Sequence, residues 1–290
     1  METNWLNAVR EDKRPDSSNL IDHILKIHRD NPGFTEGYSA QCIDSRGKNT
    51  YHWLADVITP RFHSDILDLA CGSGPLLSHC YKKFGNDLSL IGVDMSSAEL
   101  TLAKERLPDS TLLVHGKAQN LAFIADRDID VVLCHWALTL MDPVAPVLKE
   151  VSRILRPGGT FAAIVDGEKS NSKEYEEVSD LIYSWVNKNH KNYGKYDLGD
   201  NRVRRKETLI PLVGQYFRQD QITVKEKLFS VFGEPDKLAE DVSKFFYASY
   251  VLPKKMRLSL VDDLKKYFQK NKHVLKQEFR MPINRIVVKS

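Results

Sequence analysis

The stretch 65–77, DILDLACGSGPLL, constrains this chain more than any other. Ile66, Leu67 and Leu69 make a short, continuous apolar run, the pattern of a strand buried on both faces of a parallel sheet. The run meets Gly72-Ser73-Gly74, where two of three side chains vanish and the backbone can turn tightly. Pro75 suits the first turn of a helix, because its missing N–H has no partner there in any case. A strand, a glycine turn and a helix N-terminus make a place where a charged, adenosine-like ligand can lie against bare backbone. The full dinucleotide pattern G-x-G-x-x-G is not met, since the position of its third glycine holds Leu77. That departure disfavours NAD and FAD.

Twenty residues beyond Gly74 a second apolar run (88–93, LSLIGV) ends on Asp94, the spacing at which an acid grips a ribose diol. A third small-residue turn follows at His115-Gly116-Lys117-Ala118. An apolar run then leads to Cys134-His135-Trp136, and Leu155-Arg156-Pro157-Gly158-Gly159 comes after it. In this order the set resembles the class I S-adenosylmethionine-dependent methyltransferases, in which D-x-A-C-G-S-G opens the cofactor site. The resemblance is strong over 65–165 and loose elsewhere.

Length and composition fit that class. At 290 residues the chain is long enough for one large domain or for a domain with sizeable insertions, and 42% hydrophobic residues suffice for a core. The apolar runs are short and interrupted, so no transmembrane helix is expected. The polar, mixed-charge start does not read as a secretory signal. A formal charge of +3 is too small to argue for nucleic acid by itself. Cys42, Cys71, Cys80 and Cys134 show neither C-x-x-C nor Cys…His ligand spacing, so no metal site and reduced thiols in a cytoplasmic protein are expected.

Residues 1–17 read as polar and mobile. Ser18 or Asn19 is the expected cap of a helix carrying Leu20, Ile21, Ile24, Leu25 and Ile27, ended by Asn31-Pro32-Gly33. A helix at 50–58 leads into the central strand. From there strands at 65–69, 88–93, 111–114, 129–133 and 160–165 alternate with helices, which predicts a parallel sheet with helices on both faces. Asp142-Pro143 reads as an N-cap with Pro at the first helical position. Residues 207–217 read as helix and 221–232 as a strand, while 279–288, with Pro282, reads as an edge strand. The fold class is thus α/β, a three-layer doubly wound, mostly parallel seven-stranded sheet whose final strand is antiparallel. An N-terminal helical lid (1–64) precedes a methyltransferase domain (65–290) with helical insertions at about 167–201 and 235–272.

The resemblance implies roles for particular residues. Asp68 would face the aminoacyl end of the cofactor, and Ala70, Gly72 and Gly74 would supply backbone and clearance. Asp94 would accept from the ribose, and Met95 would pack on the adenine. Family members usually carry an acid in the turn where this chain has Lys117, and a lysine cannot accept a hydrogen bond. The Ala118 amide and the Gln119 side chain remain to meet the adenine. Cys134 borders the cofactor and is expected to be buried. His135 stands where the family places residues near the methyl group in transit, as a general base or as a pocket residue. Tyr38, Arg46 and Tyr51 are expected near the cofactor on the lid side.

The expected reaction is methyl transfer from S-adenosylmethionine, leaving S-adenosylhomocysteine. No Asn-Pro-Pro-aromatic tetrad follows the fourth strand, which disfavours amino-methylation of adenine or glutamine. The insertions are rich in aromatic residues (Tyr183, Trp185, Tyr193, Tyr196, Phe245, Phe246, Tyr247, Tyr250), which suits an enclosed small organic acceptor. An O or N atom of a metabolite is the first reading. Basic clusters at 202–206, 254–257 and 265–272 are broken by acids or lie on helix surfaces, so they read as solvated faces. An RNA or protein methyltransferase is the second reading, and a binding protein without turnover the third. A homodimer is left open.

Overall fold

The computed structural model describes residues 1–196, 198–269 and 276–290. Lys270 and Lys272, part of the basic cluster at 265–272 and of the insertion at 235–272, lie outside the described residues. Contacts group the chain into two units. One comprises Met1–Asn49, Glu168–Asp197 and Leu228–Pro282; the other comprises Thr50–Gly167, Leu198–Lys227 and Ile283–Ser290. The segments read as lid and insertions thus supply most of the first unit, while residues 50–64 group with the glycine turn.

Among the described residues seven strands form one sheet: β1 (Asp65–Leu69), β2 (Ser89–Asp94), β3 (Leu112–His115), β4 (Ile129–His135), β5 (Leu155–Asp166), β6 (Ile222–Gly233) and β7 (Gln277–Lys289). Their spatial order is β3-β2-β1-β4-β5-β7-β6. The strands β1 to β5 pair in parallel and β7 runs antiparallel to β5. This is the doubly wound α/β sheet expected from the alternation of strand and helix.

The period of two along each strand decides what faces where. Leu67, Leu69, Val132, Cys134, Phe161, Ala163, Val165, Ile286 and Val288 share one core with Val147, Leu148 and Val151 of the helix Ala145–Ile154. Each such fully buried aliphatic side chain contributes about 1.5–3 kcal/mol. The register pairs Asp68 with Gly92 and Leu133, and His135 with Ile164, whose partner on β7 is Arg285. Asp68, Asp94, His135 and Arg285 therefore point to the opposite face. The helix Thr50–Ala55 lies against β4 and β5, and Arg285 donates to the carbonyl of Trp53.

Several local expectations are corrected. Residues 1–17 are not simply mobile chain: Asn4–Arg10 is a helix, because Trp5, Leu6 and Val9 make an apolar face that is buried. The Trp5 ring stacks on His23 with centroids 4.8 Å apart. The next helix, Ser17–Asp30, is capped by Asp16, whose carboxylate accepts from the Asn19 amide, rather than by Ser18 or Asn19. The helix after Asp142-Pro143 begins only at Ala145. The helix read at 207–217 is Lys206–Val213. The last strand is not an edge strand, since β7 lies between β5 and β6. Pro282 is tolerated there because the register with β5 stops at Ile283, paired with Asp166, so no bond of that ladder needs its N–H.

Within the first unit, many of the aromatic residues pack on one another. Tyr38 stacks on Phe245 at 4.1 Å and its hydroxyl donates to the sulfur of Met281. Phe246 meets Phe245 edge-on, Tyr193 is buried against Trp5, and the Trp185 indole donates to Asp263.

Candidate cofactor site

The site is built at the C-terminal ends of β1, β2, β3 and β4. After Leu69 the chain turns through Ala70, whose φ is +54°, and Gly72, also at +54°, to Gly74 at +77°, which stands before the helix Pro75–Phe84. At Gly74 an added Cβ would lie 2.7 Å from the Leu107 side chain, so both the left-handed backbone and the space require glycine. Leu77 explains why the third dinucleotide glycine is missing. Helix and sheet approach closely instead at Gly92 of β2, where an added Cβ would meet Leu77 at 3.0 Å.

Three hydrogen bonds fix the turn. The Cys71 amide donates to the Val93 carbonyl at 3.0 Å. The Gly72 amide donates to Asp94 Oδ2 at 2.8 Å, and the Arg106 guanidinium donates to the Ser73 carbonyl at 2.8 Å. The other oxygen of Asp94 accepts from the Ser96 amide at 2.8 Å. Ser96 caps the following helix, Ser97–Arg106, and the buried Glu99 lies three residues on, the spacing of a capping box.

Asp68 is 1% exposed, and its Oδ1 has no hydrogen-bond partner. Burial, and then the charge of Asp94, push its carboxyl well above the ordinary carboxylate range. A carboxyl raised in this way favours the fold fully below its unfolded pKa, and that contribution is lost as pH rises through the folded value. Asp68→Asn is therefore expected to raise stability by about 1 kcal/mol near neutrality, with the gain growing as pH increases. Thermal unfolding at several pH values reads this directly. A loss of stability independent of pH would contradict it.

The third turn bounds a cavity of ≈ 330 Å³ lined by Val114, His115, Gly116, Lys117, Asn120, Ala122 and Phe123. Lys117 is exposed, Ala118 turns its side chain into the core, and Gln119 is half-buried. Asn120, which no motif in the sequence marks, supplies the lining amide. Met95 is half-buried, and its carbonyl is hydrogen-bonded to His115 Nε2 at 3.0 Å.

His135 closes β4. Its Nε2 is hydrogen-bonded to Thr50 Oγ1 at 3.0 Å, its ring stacks on Tyr51 at 4.4 Å, and Trp136 meets it edge-on at 4.9 Å. Burial lowers its pKa to about 3. Cys134, fully buried beside Leu69 in the sheet, has its thiol pushed up to about 12 by burial. The structure thus brings together Asp68, Ala70, Gly72, Gly74 and Asp94, with His135 on the same face, and places Tyr51 on His135. Tyr38 and Arg46 belong to the first unit, where Tyr38 is a core residue and Arg46 sits exposed in a turn with its amide donating to Asp44. Thr50 and Arg106 carried no signal in the sequence, because their partners stand 85 and 33 residues away. Among the described residues no group of three or more His, Cys, Asp and Glu is placed to hold a metal ion. None of the helices described is long and apolar enough to cross a membrane.

Residues 67–163 match the family model of a methyltransferase domain. Together with the fold, this makes the segment a Rossmann-like methyltransferase domain of the S-adenosylmethionine-dependent class. Among curated proteins the chain is similar to the demethylmenaquinone methyltransferase of Staphylococcus saprophyticus, 34% identical over 125 residues, which is 42% of this chain and 53% of that protein. The Listeria welshimeri enzyme of the same name is 28% identical over 127 residues, with the same shares. The chain thus spans about half the length of the curated relatives it matches. Among solved structures, a protein assigned to methyl transfer in an antibiotic biosynthesis pathway of Anabaena variabilis superposes with a TM-score of 0.59 at 13% identity, over 86% of this chain and 99% of that one. The YcgJ protein of Bacillus subtilis gives 0.52 at 15%, over 83% and 97%. At these identities the likeness is one of fold.

Proposed function

We propose that this chain binds S-adenosylmethionine and transfers its methyl group to an O or N atom of a small organic acceptor. The observation that carries the reading is the acid pair at the ends of β1 and β2. Asp68 is buried with an unpartnered oxygen, and Asp94 is clamped to the glycine turn. A buried carboxyl of this kind fits a ligand with a cationic end, and the second acid fits a neighbouring diol. An added Cβ at Gly72 would find no atom nearer than 3.8 Å, which leaves room for close approach to bare backbone.

When bound, the cofactor supplies an electrophilic methyl group on a positively charged sulfur. Asp68 would then hold the aminoacyl end, Asp94 the ribose, and the turn around Lys117, Ala118 and Gln119, with Asn120, the adenine. Because Lys117 cannot accept from an amino group, that task falls to a side-chain amide. His135 acts as part of the wall: an imidazole with a pKa of about 3, already engaged by Thr50, is a poor proton acceptor near neutral pH. The name of the curated relatives, demethylmenaquinone methyltransferase, supports a small organic acceptor, and the choice of an O or N atom does not rest on it. Four buried, unpaired cysteines suit a reducing, cytoplasmic setting.

Calorimetric titration with S-adenosylmethionine and S-adenosylhomocysteine tests the reading first. Transfer of labelled methyl to small aromatic alcohols, acids and amines follows, with reduced demethylmenaquinone, which takes a methyl on a ring carbon, as the contrasting acceptor. Micromolar binding with transfer to a small molecule is the expected result. Binding without transfer to any acceptor class would leave a regulatory binding protein, and transfer to RNA with steep salt dependence would move the acceptor to nucleic acid.

A further inference from the structure

We propose that Trp136, held by the Tyr51–His135 stack, distinguishes the charged methyl donor from its neutral product. This rests on the donor reading above. The last register pair between β1 and β4 is Leu69 with Cys134. One step further stand Ala70, which opens the glycine turn, and His135, on which the aromatic wall is built. Trp136 follows with φ +56°, a left-handed conformation that is rare for a bulky residue, and its amide donates to the Ile164 carbonyl at 2.9 Å. Ala70 is left-handed as well. Two neighbouring strands therefore each run into a non-glycine residue in this costly conformation at the same end of the sheet, as happens where a backbone is held for function.

The three rings form one wall. Tyr51 and His135 are stacked with 28° between their planes, and Trp136 stands at 66° to His135. Thr50 fixes the imidazole. Burial keeps His135 neutral down to a pH of about 3, so the wall brings no positive charge that would repel a cation. An aromatic face attracts a cation through its quadrupole, indole more than phenyl, and the attraction grows where water is excluded. Donor and product differ at their reacting centre by one methyl group and one positive charge, a sulfonium against a thioether. A neutral aromatic wall thus acts on the donor and leaves the product unaided, which favours exchange of spent cofactor.

The test is calorimetric titration of wild type, Trp136→Phe and Trp136→Leu with S-adenosylmethionine, S-adenosylhomocysteine and sinefungin, in which a carbon replaces the sulfur and a protonated amine stands where the donor carries its methyl group. The ratio of donor to product affinity is expected to fall in the order Trp, Phe, Leu, by about tenfold for leucine. Sinefungin should follow the donor, and affinity for the product should change less than about twofold. A damaged pocket would weaken all three ligands alike, so a parallel loss, or an unchanged ratio, overturns the role of Trp136. If wild type binds donor and product but the ratio ignores Trp136, only this inference falls. If wild type binds neither, the donor reading falls and this one goes with it.

Discussion

Asp94→Ala is expected to weaken binding of S-adenosylmethionine and of S-adenosylhomocysteine by about a hundredfold or more. Both oxygens of Asp94 accept from backbone amides, those of Gly72 and Ser96, each at 2.8 Å. The carboxylate is the tie that holds the glycine turn against the end of β2, and in the proposed reading it is a ligand group as well. Hydrogen bonds to a charged group contribute about 1.5–3 kcal/mol each, and a hundredfold loss of affinity needs only about 2.7 kcal/mol. Removing the side chain strands two amides and frees the turn at once. Asp94→Asn keeps one acceptor oxygen and should fall between wild type and alanine. Calorimetry on folded protein, with unfolding measured alongside, separates the two effects. An alanine variant that is folded and binds like wild type would remove the acid pair from the site.

The second large effect lies at the other end of the sheet. Asp130 of β4 accepts from the Ser64 amide at 2.8 Å, the Asp65 amide at 3.0 Å and the Arg156 guanidinium at 2.8 Å. Burial works to raise its pKa, but the Asp65 and Ser64 amides and Arg156 outweigh it and hold the carboxyl at about 2. Asp130→Ala is expected to cost about 3 kcal/mol at neutral pH, the sum of a lost anion and stranded amides. A carboxyl depressed in this way gives stability that is present above its unfolded pKa and is lost as pH falls through the folded value. The gap between wild type and variant should thus close as pH drops from about 4 towards 2. Denaturant unfolding across that range checks it, and a gap that stays constant with pH would assign the loss to packing alone.

The parts of the site legible in the sequence are those whose chemistry is local. A strand, two glycines and a proline announce the turn within a dozen residues, and Asp94 follows at a spacing set by one helix and one strand. The fold class was legible for the same reason, since alternation fixes a parallel sheet before any contact is known. What stayed hidden depends on partners distant along the chain. Nothing near Thr50 signals that it holds His135, and nothing in Arg106 points back to Ser73. Composition misled at the start of the chain, where few but well-spaced apolar residues, Trp5, Leu6 and Val9, suffice for a docked helix. Pro282 misled in the opposite direction: it suggests an edge, yet a strand interior tolerates it wherever one ladder has already ended.

The placement of β7 has a consequence for how the chain is made. Synthesis delivers residues in order, at about 5–20 per second, so β6 leaves the ribosome before the strand that joins it to β5. Until residues 277–289 follow, β5 presents an unpaired row of backbone groups and β6 has no neighbour in the sheet. Phe279, Met281, Ile283, Ile286 and Val288 are all fully buried at the end, so the half-made molecule also lacks part of its filling. A strand of the sheet's interior is thus translated after the strand that flanks it. A nascent chain stalled before that point carries an open strand edge beside exposed apolar surface, the combination that recruits chaperones or other copies of itself.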